Sequence, residues 1–476
     1  MASSNLFKKF LTFSYGSIIG LVIGFFTTLL STHLLSPEDF GKASMFTLAV
    51  NISALVIIFG TDQSFIRFFY EEKEENRGKL LYNCIRLPIV MTFAVGILFL
   101  LFQEKLSYYL FGINSNSIIG LLLIGVVAQV MLRYGQSVIR MQQKGNIFSI
   151  IQILNRVLQL VFLVLVYLII GPEFEIIVYS TVITLLLLSI VAIVFERKFW
   201  SLKNLSNEKV KHSKNEIFTY GYPLVITLLI TWLFQSFDKL AIRQWSSFEE
   251  LGLYAAAFKI VALLTVVQGA FTTFWTPVCY EKFEKNPDDK EFFARTSKLI
   301  ALTMFFIAIV TIMFKDLIIM MLGADFSGAG DILPFLVFIP LLYTISETTV
   351  IGINFYKKPK WHIAIAAIAC IVNIFGNWLL VPPYGGAGAA IATAGSYIVF
   401  LALRTGISQL YYKVNYRLVK MYVMISLVTV YAFISITIES IIVNVLIGAG
   451  LLLVNAWIYV NELVVVYKQV TNRKKG

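Results

Sequence analysis

Ser36-Pro37-Glu38-Asp39-Phe40-Gly41 precedes one apolar run, and Ser247-Phe248-Glu249-Glu250-Leu251-Gly252 precedes another, 211 residues later. Two further pairs keep the same order. Ser14-Tyr15-Gly16 opens the first apolar run and Thr219-Tyr220-Gly221 the seventh, while Tyr70-Glu71 and Tyr280-Glu281 close the second and the eighth. Three matches in order predict a chain built from two repeated halves. An even number of helices in each half makes the halves parallel, related by an axis along the membrane normal. That arrangement recurs in secondary transporters, whose sites lie between the halves.

The composition gives the runs their solvent. Of 476 residues, 58% are hydrophobic and only 14% charged, with a mean hydropathy of +0.80. An ordinary soluble domain carries about 25% charged residues, so the surplus apolar surface calls for lipid. About fourteen stretches approach the roughly 20 apolar residues that a membrane helix needs. They begin near Thr12, Lys42, Asn83, Ser117, Phe148, Ile176, Phe218, Gly252, Leu299, Ile332, His362, Ala387, Leu418 and Ser440. The least marked boundaries are Gln142-Gln143-Lys144-Gly145-Asn146 and the last hairpin around Ile438-Glu439. The expected fold is all-α and integral to the membrane: two six-helix parallel repeats in a V-shaped bundle, plus a C-terminal helix pair.

Charge sets the expected orientation. With the N-terminus in the cytoplasm, segments 67–82, 140–146, 196–217, 280–298, 355–361, 404–420 and 468–476 face inward and hold most of the 39 Lys and Arg. Outward loops keep only a handful, such as Lys105 and Lys315, as the positive-inside rule requires. Both termini are then cytoplasmic, the outward loops are short, and the first helix is uncleaved. The net charge of +12 reads as topology and attraction to anionic headgroups, not as a nucleic-acid surface. The chain divides into an N-lobe (1–195), a basic linker (196–217, with Arg197, Lys198, Lys203, Lys209, Lys211 and Lys214), a C-lobe (218–410) and a last pair with its tail (411–476).

Charged side chains at bilayer depth are expensive and usually face a bundle interior or a watery cavity. Predicted helix four carries Gln129, Arg133, Gln136 and Arg140 at i, i+4, i+7 and i+11, one continuous stripe. Helix five carries Gln152, Asn155, Arg156 and Gln159 at similar spacing. The guanidinium groups, with only amides between them, suit the oxygens of a phosphate or diphosphate; snorkelling to the surface is the competing reading for Arg133 and Arg140. Helix seven aligns Thr227, Thr231, Gln235 and Asp238, and Lys259 of helix eight lies at a depth similar to Asp238, where the two could bridge. Glu347, with Tyr343 one turn before it, reads as a lone mid-membrane carboxylate suited to proton or cation coupling. Asn373 and Asn377 read as interhelical glue, and Asp62 and Arg67 as interfacial.

Several chemistries find no support. No Walker loop is present, so ATP is not the direct energy source. The three cysteines lack metal-ligand or disulfide spacing, and His33, His212 and His362 pair with no positioned nucleophile. No cofactor is called for.

Two segments carry a family resemblance. Phe237-Asp238-Lys239-Leu240, with Glu249-Glu250-Leu251-Gly252-Leu253-Tyr254-Ala255-Ala256-Ala257-Phe258-Lys259, resembles the helix seven-to-eight signature of polysaccharide flippases. Lys358-Pro359-Lys360, Asn373, Asn377, Pro382 and Gly385-Gly386-Ala387-Gly388-Ala389-Ala390-Ile391-Ala392-Thr393 resemble their helix eleven-to-twelve segment, with Pro382-Pro383 ending helix eleven. The family is that of the Wzx-type O-antigen and capsule repeat-unit flippases, within the multidrug/oligosaccharidyl-lipid/polysaccharide exporters. The resemblance implies alternating access in the bacterial cytoplasmic membrane, with an undecaprenyl-diphosphate-linked oligosaccharide as cargo. It also implies membrane lipids, a polysaccharide polymerase and a chain-length regulator as partners. On this reading Arg133, Arg156, Arg140, Gln129, Gln136, Asn155, Gln152, Gln235, Lys259 and Tyr343 would meet substrate, and Glu347 and Asp238 would couple ions. A peptidoglycan-precursor flippase and an ion-coupled multidrug antiporter are the alternatives. The last two helices would form a groove for the lipid tail or serve as packing support.

Overall fold

The computed structural model describes residues 2–201, 203, 210–438 and 440–464, with side chains from Tyr15 onward. Lys209, Glu439 and the basic tail 468–476, on which part of the topology reading rests, lie outside the described residues. Among the described residues thirteen helices are long and apolar enough to cross a membrane, and no strand is present. In chain order they begin with α1 (Ala2–Leu34), α2 (Pro37–Ile58), α3 (Arg77–Leu101), α4 (Asn116–Met141), α5 (Gly145–Ile170) and α6 (Glu175–Phe195). Then come α7 (Lys214–Trp245), α8 (Phe248–Lys285), α9 (Lys290–Met313) and α10 (Ala329–Thr349).

The next helix, Lys360–Tyr411, runs for 52 residues. At 1.5 Å per residue it would be about 78 Å long, more than twice the ~30 Å of bilayer hydrocarbon. It is instead a hairpin of two helices, α11 (360–384) and α12 (386–411), joined at Gly385 with φ 53° and ψ −131°. Asn373 Nδ2 lies 3.1 Å from Thr393 Oγ1, and Trp361 Nε1 lies 2.9 Å from Tyr411 Oη, so the two legs run side by side. With α13 (Leu418–Thr437) and α14 (Ile441–Ile458), and the hairpin counted as two, the membrane-length helices among the described residues number fourteen, as hydropathy predicts. The break falls two residues beyond Pro383. A proline ring disturbs only the turn behind it, whereas reversing the chain needs a backbone conformation that glycine alone adopts readily. A side chain at Gly385 would also strike Glu250, which lies 2.6 Å from the position its Cβ would take.

The repeated hexapeptides fold alike. Ser36 Oγ accepts a hydrogen bond from Asp39 N (3.1 Å), and Ser247 Oγ accepts one from Glu250 N (3.2 Å). Each serine caps its helix, and Glu38 and Asp39, or Glu249 and Glu250, fill the first turn where the helix dipole favours anions. The two Tyr-Glu pairs do not fold alike. α2 stops at Ile58, and Phe59 (φ 49°) and Gly60 (φ 71°) turn the chain into a short helix, Thr61–Phe68, before Tyr70-Glu71. Tyr280-Glu281, in contrast, lie within α8.

The chain forms two compact units, Met1–Trp232 and Leu233–Gly476. In the first, α1 packs along α5, and α6 packs against both α4 and α5. Buried Glu196 ties the end of α6 to the turn between α4 and α5, accepting from Lys144 Nζ (2.7 Å) and from Gln142 Nε2. In the second, α10 is the most enclosed helix, in contact with α8, α9, α12 and α13. α13 and α14 are integral to this unit. Buried Asn444 donates to the carbonyls of Ile312 and Met313 at the end of α9 (3.2 Å each), and Asn455 donates to Leu302 O (3.2 Å). The Asn444 amide reaches carbonyls in the last turn of α9, where helical partners run out, and Asn455 adds a bond to a carbonyl within that helix.

Candidate functional site

The polar residues predicted for the first unit divide by their partners. Arg133, on α4, places Nε and Nη2 each 3.0 Å from Asp62 Oδ2. Asp62 is buried, 3% exposed, in the short helix after α2. The stripe is therefore not flanked by amides alone: a carboxylate 71 positions away neutralises this arginine. Gln129 and Gln136 are half-buried beside it, and Arg140 is exposed at the last turn of α4.

Arg156, on α5, has a different environment. Its stem lies across α1, 3.3 Å from where a Cβ of Gly20 would stand and 3.7 Å from that of Gly24. Gly16, Gly20 and Gly24 recur every fourth residue, leaving one face of α1 bare so that α5 can approach closely. At Gly16 the approach is closest, since a Cβ there would fall 2.5 Å from Ser149 Cα. Around the guanidinium stand Gln159, whose Oε1 accepts from Nη1 at 3.5 Å, and, a turn away, Gln152, whose Oε1 accepts from Ser17 Oγ at 2.8 Å. Asn155 is half-buried alongside, and the Arg156 side chain is exposed. Among the described residues no acidic side chain pairs with Arg156. The glycine stripe and Ser17 were not picked out from sequence, although the i, i+4, i+8 spacing is visible there.

In the second unit the signature residues converge. Asp238, on α7, is 2% exposed and accepts four hydrogen bonds. Asn373 Nδ2 (3.1 Å) and Asn377 Nδ2 (2.8 Å) reach Oδ1; Tyr254 Oη (2.5 Å) and Thr393 Oγ1 (2.7 Å) reach Oδ2. One carboxylate thus ties α7 to α8, α11 and α12. Neutral donors reach both carboxylate oxygens, and Lys259 is exposed on α8. The asparagine oxygens stay close by, and buried Asn377 Oδ1 has no hydrogen-bond partner. Gln235 is exposed one turn before Asp238.

Glu347 is not a lone carboxylate. Its Oε1 accepts from Arg404 Nη2 at 2.8 Å, and Arg404 Nη1 donates to Ser346 Oγ at 2.6 Å. The Arg404 guanidinium also lies over the rings of Tyr343 (5.3 Å) and Phe400 (5.0 Å). Arg404, assigned from sequence to an inward segment, is buried in α12.

These features define a polytopic membrane protein with an unpaired arginine on an accessible face and two buried acid-centred clusters. Solved structures show the fold. The lipid II flippase MurJ in an inward closed conformation superposes with a TM-score of 0.68 at 16% identity, over 95% of this chain and 99% of that one. An inward-facing MATE family multidrug resistance transporter of the MOP superfamily gives 0.61 at 14% identity, over 83% and 94%. A Vibrio cholerae MATE transporter gives 0.57 at 16%, over 85% and 97%. Among curated proteins none matches the sequence significantly. The sequence profile described as polysaccharide biosynthesis protein matches residues 6–281, more than half of the chain. The chain belongs to that family, and its fold is that of membrane transporters and flippases.

Proposed function

We propose that the protein is a flippase for undecaprenyl-diphosphate-linked oligosaccharide repeat units, acting by alternating access in a bacterial cytoplasmic membrane during cell-surface polysaccharide synthesis. The observation that carries the reading is Arg156. A guanidinium held on a membrane-spanning helix without a carboxylate partner is costly unless an anion visits it. Diphosphate offers oxygens for its bidentate fork. Gln152, Gln159, Asn155 and Ser17 supply donors and acceptors beside it for sugar hydroxyls. Gln129, Gln136 and Arg140 extend the polar wall along α4. Arg133 stands ready only if Asp62 releases it.

In the second unit, Gln235, Lys259 and Tyr343 are the candidates for further sugar contacts. Asp238 is the candidate for ion coupling: its carboxylate, with the orphaned Asn377 Oδ1 beside it, supplies the oxygen ligands a small cation takes. Glu347 acts as the counter-charge of Arg404 and not as an independent ion ligand.

The test uses purified protein in vesicles carrying a fluorescent polyprenyl-diphosphate oligosaccharide, with translocation read by an impermeant quencher. Arg156→Ala should abolish translocation and Arg156→Lys should restore part of it. Wild-type rates in Arg156→Ala would reject the reading. Translocation of the peptidoglycan precursor in preference to repeat-unit cargo would replace it by the peptidoglycan alternative.

A further inference from the structure

Between α12 and α13 the chain runs from Tyr412 to Arg417 with a tight turn closed by Tyr416 N donating to Val414 O at 3.0 Å, and its side chains alternate in burial. Tyr412, Val414 and Tyr416 are buried in a core with Trp275, Phe293 and Phe355. Lys413, Asn415 and Arg417 therefore share the other face, and all three are exposed. The segment is pinned at both ends. Gln409 Nε2 donates to Val414 O at 2.7 Å, and Asn415 Oδ1 accepts from Arg417 N at 3.3 Å, which holds Arg417 left-handed at φ 52°. The result is an open hollow of about 430 Å³ of mixed lining, with Gln409, Lys413, Asn415 and Arg417 beside Val414, Tyr416 and Leu418.

A second hollow, of about 520 Å³, continues from it. Leu418 lines both, and all the residues lining the second, through Val419, Val423, Leu427 and Val430, belong to α13, so it is a shallow trough along the exposed face of that one helix. From Leu418 to Val430 the groove runs about 18 Å into a membrane-spanning helix. Its walls are almost wholly apolar, and Val419 is 78% exposed. From 405 to 438 the sequence has no Asp or Glu, and among the described residues neither Lys413 nor Arg417 is in an ion pair.

We propose that this paired hollow is a binding site for an anionic phospholipid, with the headgroup phosphate on Lys413 and Arg417 and one acyl chain in the α13 groove. The cationic mouth requires an anion, and the contiguous apolar groove at bilayer depth requires that the anion carry a tail. A bilayer supplies phospholipid of that charge at the point where α13 enters it. The proposal is independent of the cargo reading.

Native mass spectrometry of the full chain, titrated with dioleoyl phosphatidylglycerol or dioleoyl phosphatidylcholine, tests it. Wild type should retain one phosphatidylglycerol more tightly than phosphatidylcholine. Each basic residue near an anionic lipid is worth roughly fivefold, so Lys413→Gln with Arg417→Gly should weaken phosphatidylglycerol by about 25-fold and leave phosphatidylcholine unchanged. Glycine is at ease at the positive φ of residue 417, so the turn should survive, and an unchanged melting temperature would verify that. Val423→Trp, which fills the groove, should weaken both lipids. Equal retention of the two lipids by wild type, or undiminished phosphatidylglycerol binding in the charge variant, would overturn the site. So would undecaprenyl phosphate displacing phosphatidylglycerol while excess phosphatidylglycerol fails to displace it, since the groove would then serve the polyprenyl carrier.

Discussion

Replacing Glu347 by leucine should destabilise the second unit far more than replacing Glu347 and Arg404 together. The two side chains are 12% and 7% exposed and meet at 2.8 Å. Without Glu347, the Arg404 guanidinium keeps only the Ser346 hydroxyl and the faces of Tyr343 and Phe400, and its Nε is already without a partner. Breaking one side of a buried ion pair costs about 3–5 kcal/mol, whereas exchanging both members for apolar residues of similar volume is often neutral. At roughly 2–4 °C per kcal/mol for a unit of this size, Glu347→Leu should lower the melting temperature by about 6–20 °C, and Glu347→Leu with Arg404→Met should recover most of that loss. The protein carries its own reporters: Cys84, Cys279 and Cys370 are free and buried. A thiol-reactive dye will label each as its surroundings open, and with Cys84→Ser only the second unit is read. Losses that simply add in the double variant would show that the two residues are uncoupled and that the ion pair contributes nothing as a pair.

Further outcomes follow from single contacts. Gly385→Ala should cost about 1–2 kcal/mol for the left-handed backbone alone, and more from the clash with Glu250, read as earlier dye labelling of Cys370. Asp289→Ala removes the cap whose Oδ1 accepts from Phe292 N at 3.2 Å and should cost about 1 kcal/mol. Asp238→Asn should abolish any dependence of translocation on a sodium or proton gradient while the membrane level of the protein holds; an unaltered gradient dependence would remove Asp238 from coupling. The Glu71 carboxyl is held below its ordinary 4.5, chiefly by a hydrogen bond from Arg67. A lowered folded value means the contact stabilises above the ordinary carboxylate range and is lost as pH falls through the lowered value. The acid limb of a melting-temperature profile should therefore flatten in Glu71→Gln.

The fourteen crossings were legible because hydropathy measures the property that a bilayer selects, and a run's length follows from bilayer thickness. The turn at Gln142-Gln143 was legible for the same reason, polar residues interrupting an apolar run, and α4 does end at Met141. Ion pairs were not legible. A reading by hydropathy treats a charge as the edge of a span, so Arg404, the first charge after a long apolar run, reads as the start of a loop. Its partner is 57 positions earlier on another helix. By the same reading Asp62 shows no sign of its partner Arg133. In both cases the partner is set by which helices pack together, and side-chain spacing along one helix carries no information about that.

The embedded arginines show what the packing adds. In sequence, Arg133, Arg156 and Arg404 are alike: each is a guanidinium in or beside an apolar run. In the folded chain Arg133 is held by Asp62 and Arg404 by Glu347, whereas Arg156 lies on a glycine face among amides. A charge that the fold neutralises can hold helices together without any ligand. One that the fold leaves among neutral groups retains an attraction that only a mobile anion can satisfy. If that distinction governs transport, neutral substitutions will separate the three: at Arg156 they will remove translocation with little change in melting temperature, and at Arg404 they will lower the melting temperature first. Arg133→Gln should leave Asp62 buried and unpaired, a stability defect that Asp62→Asn in the same chain repairs. Should that double variant also regain full translocation, Arg133 is structural, and the anion wall reduces to Arg156 with Arg140 at its edge.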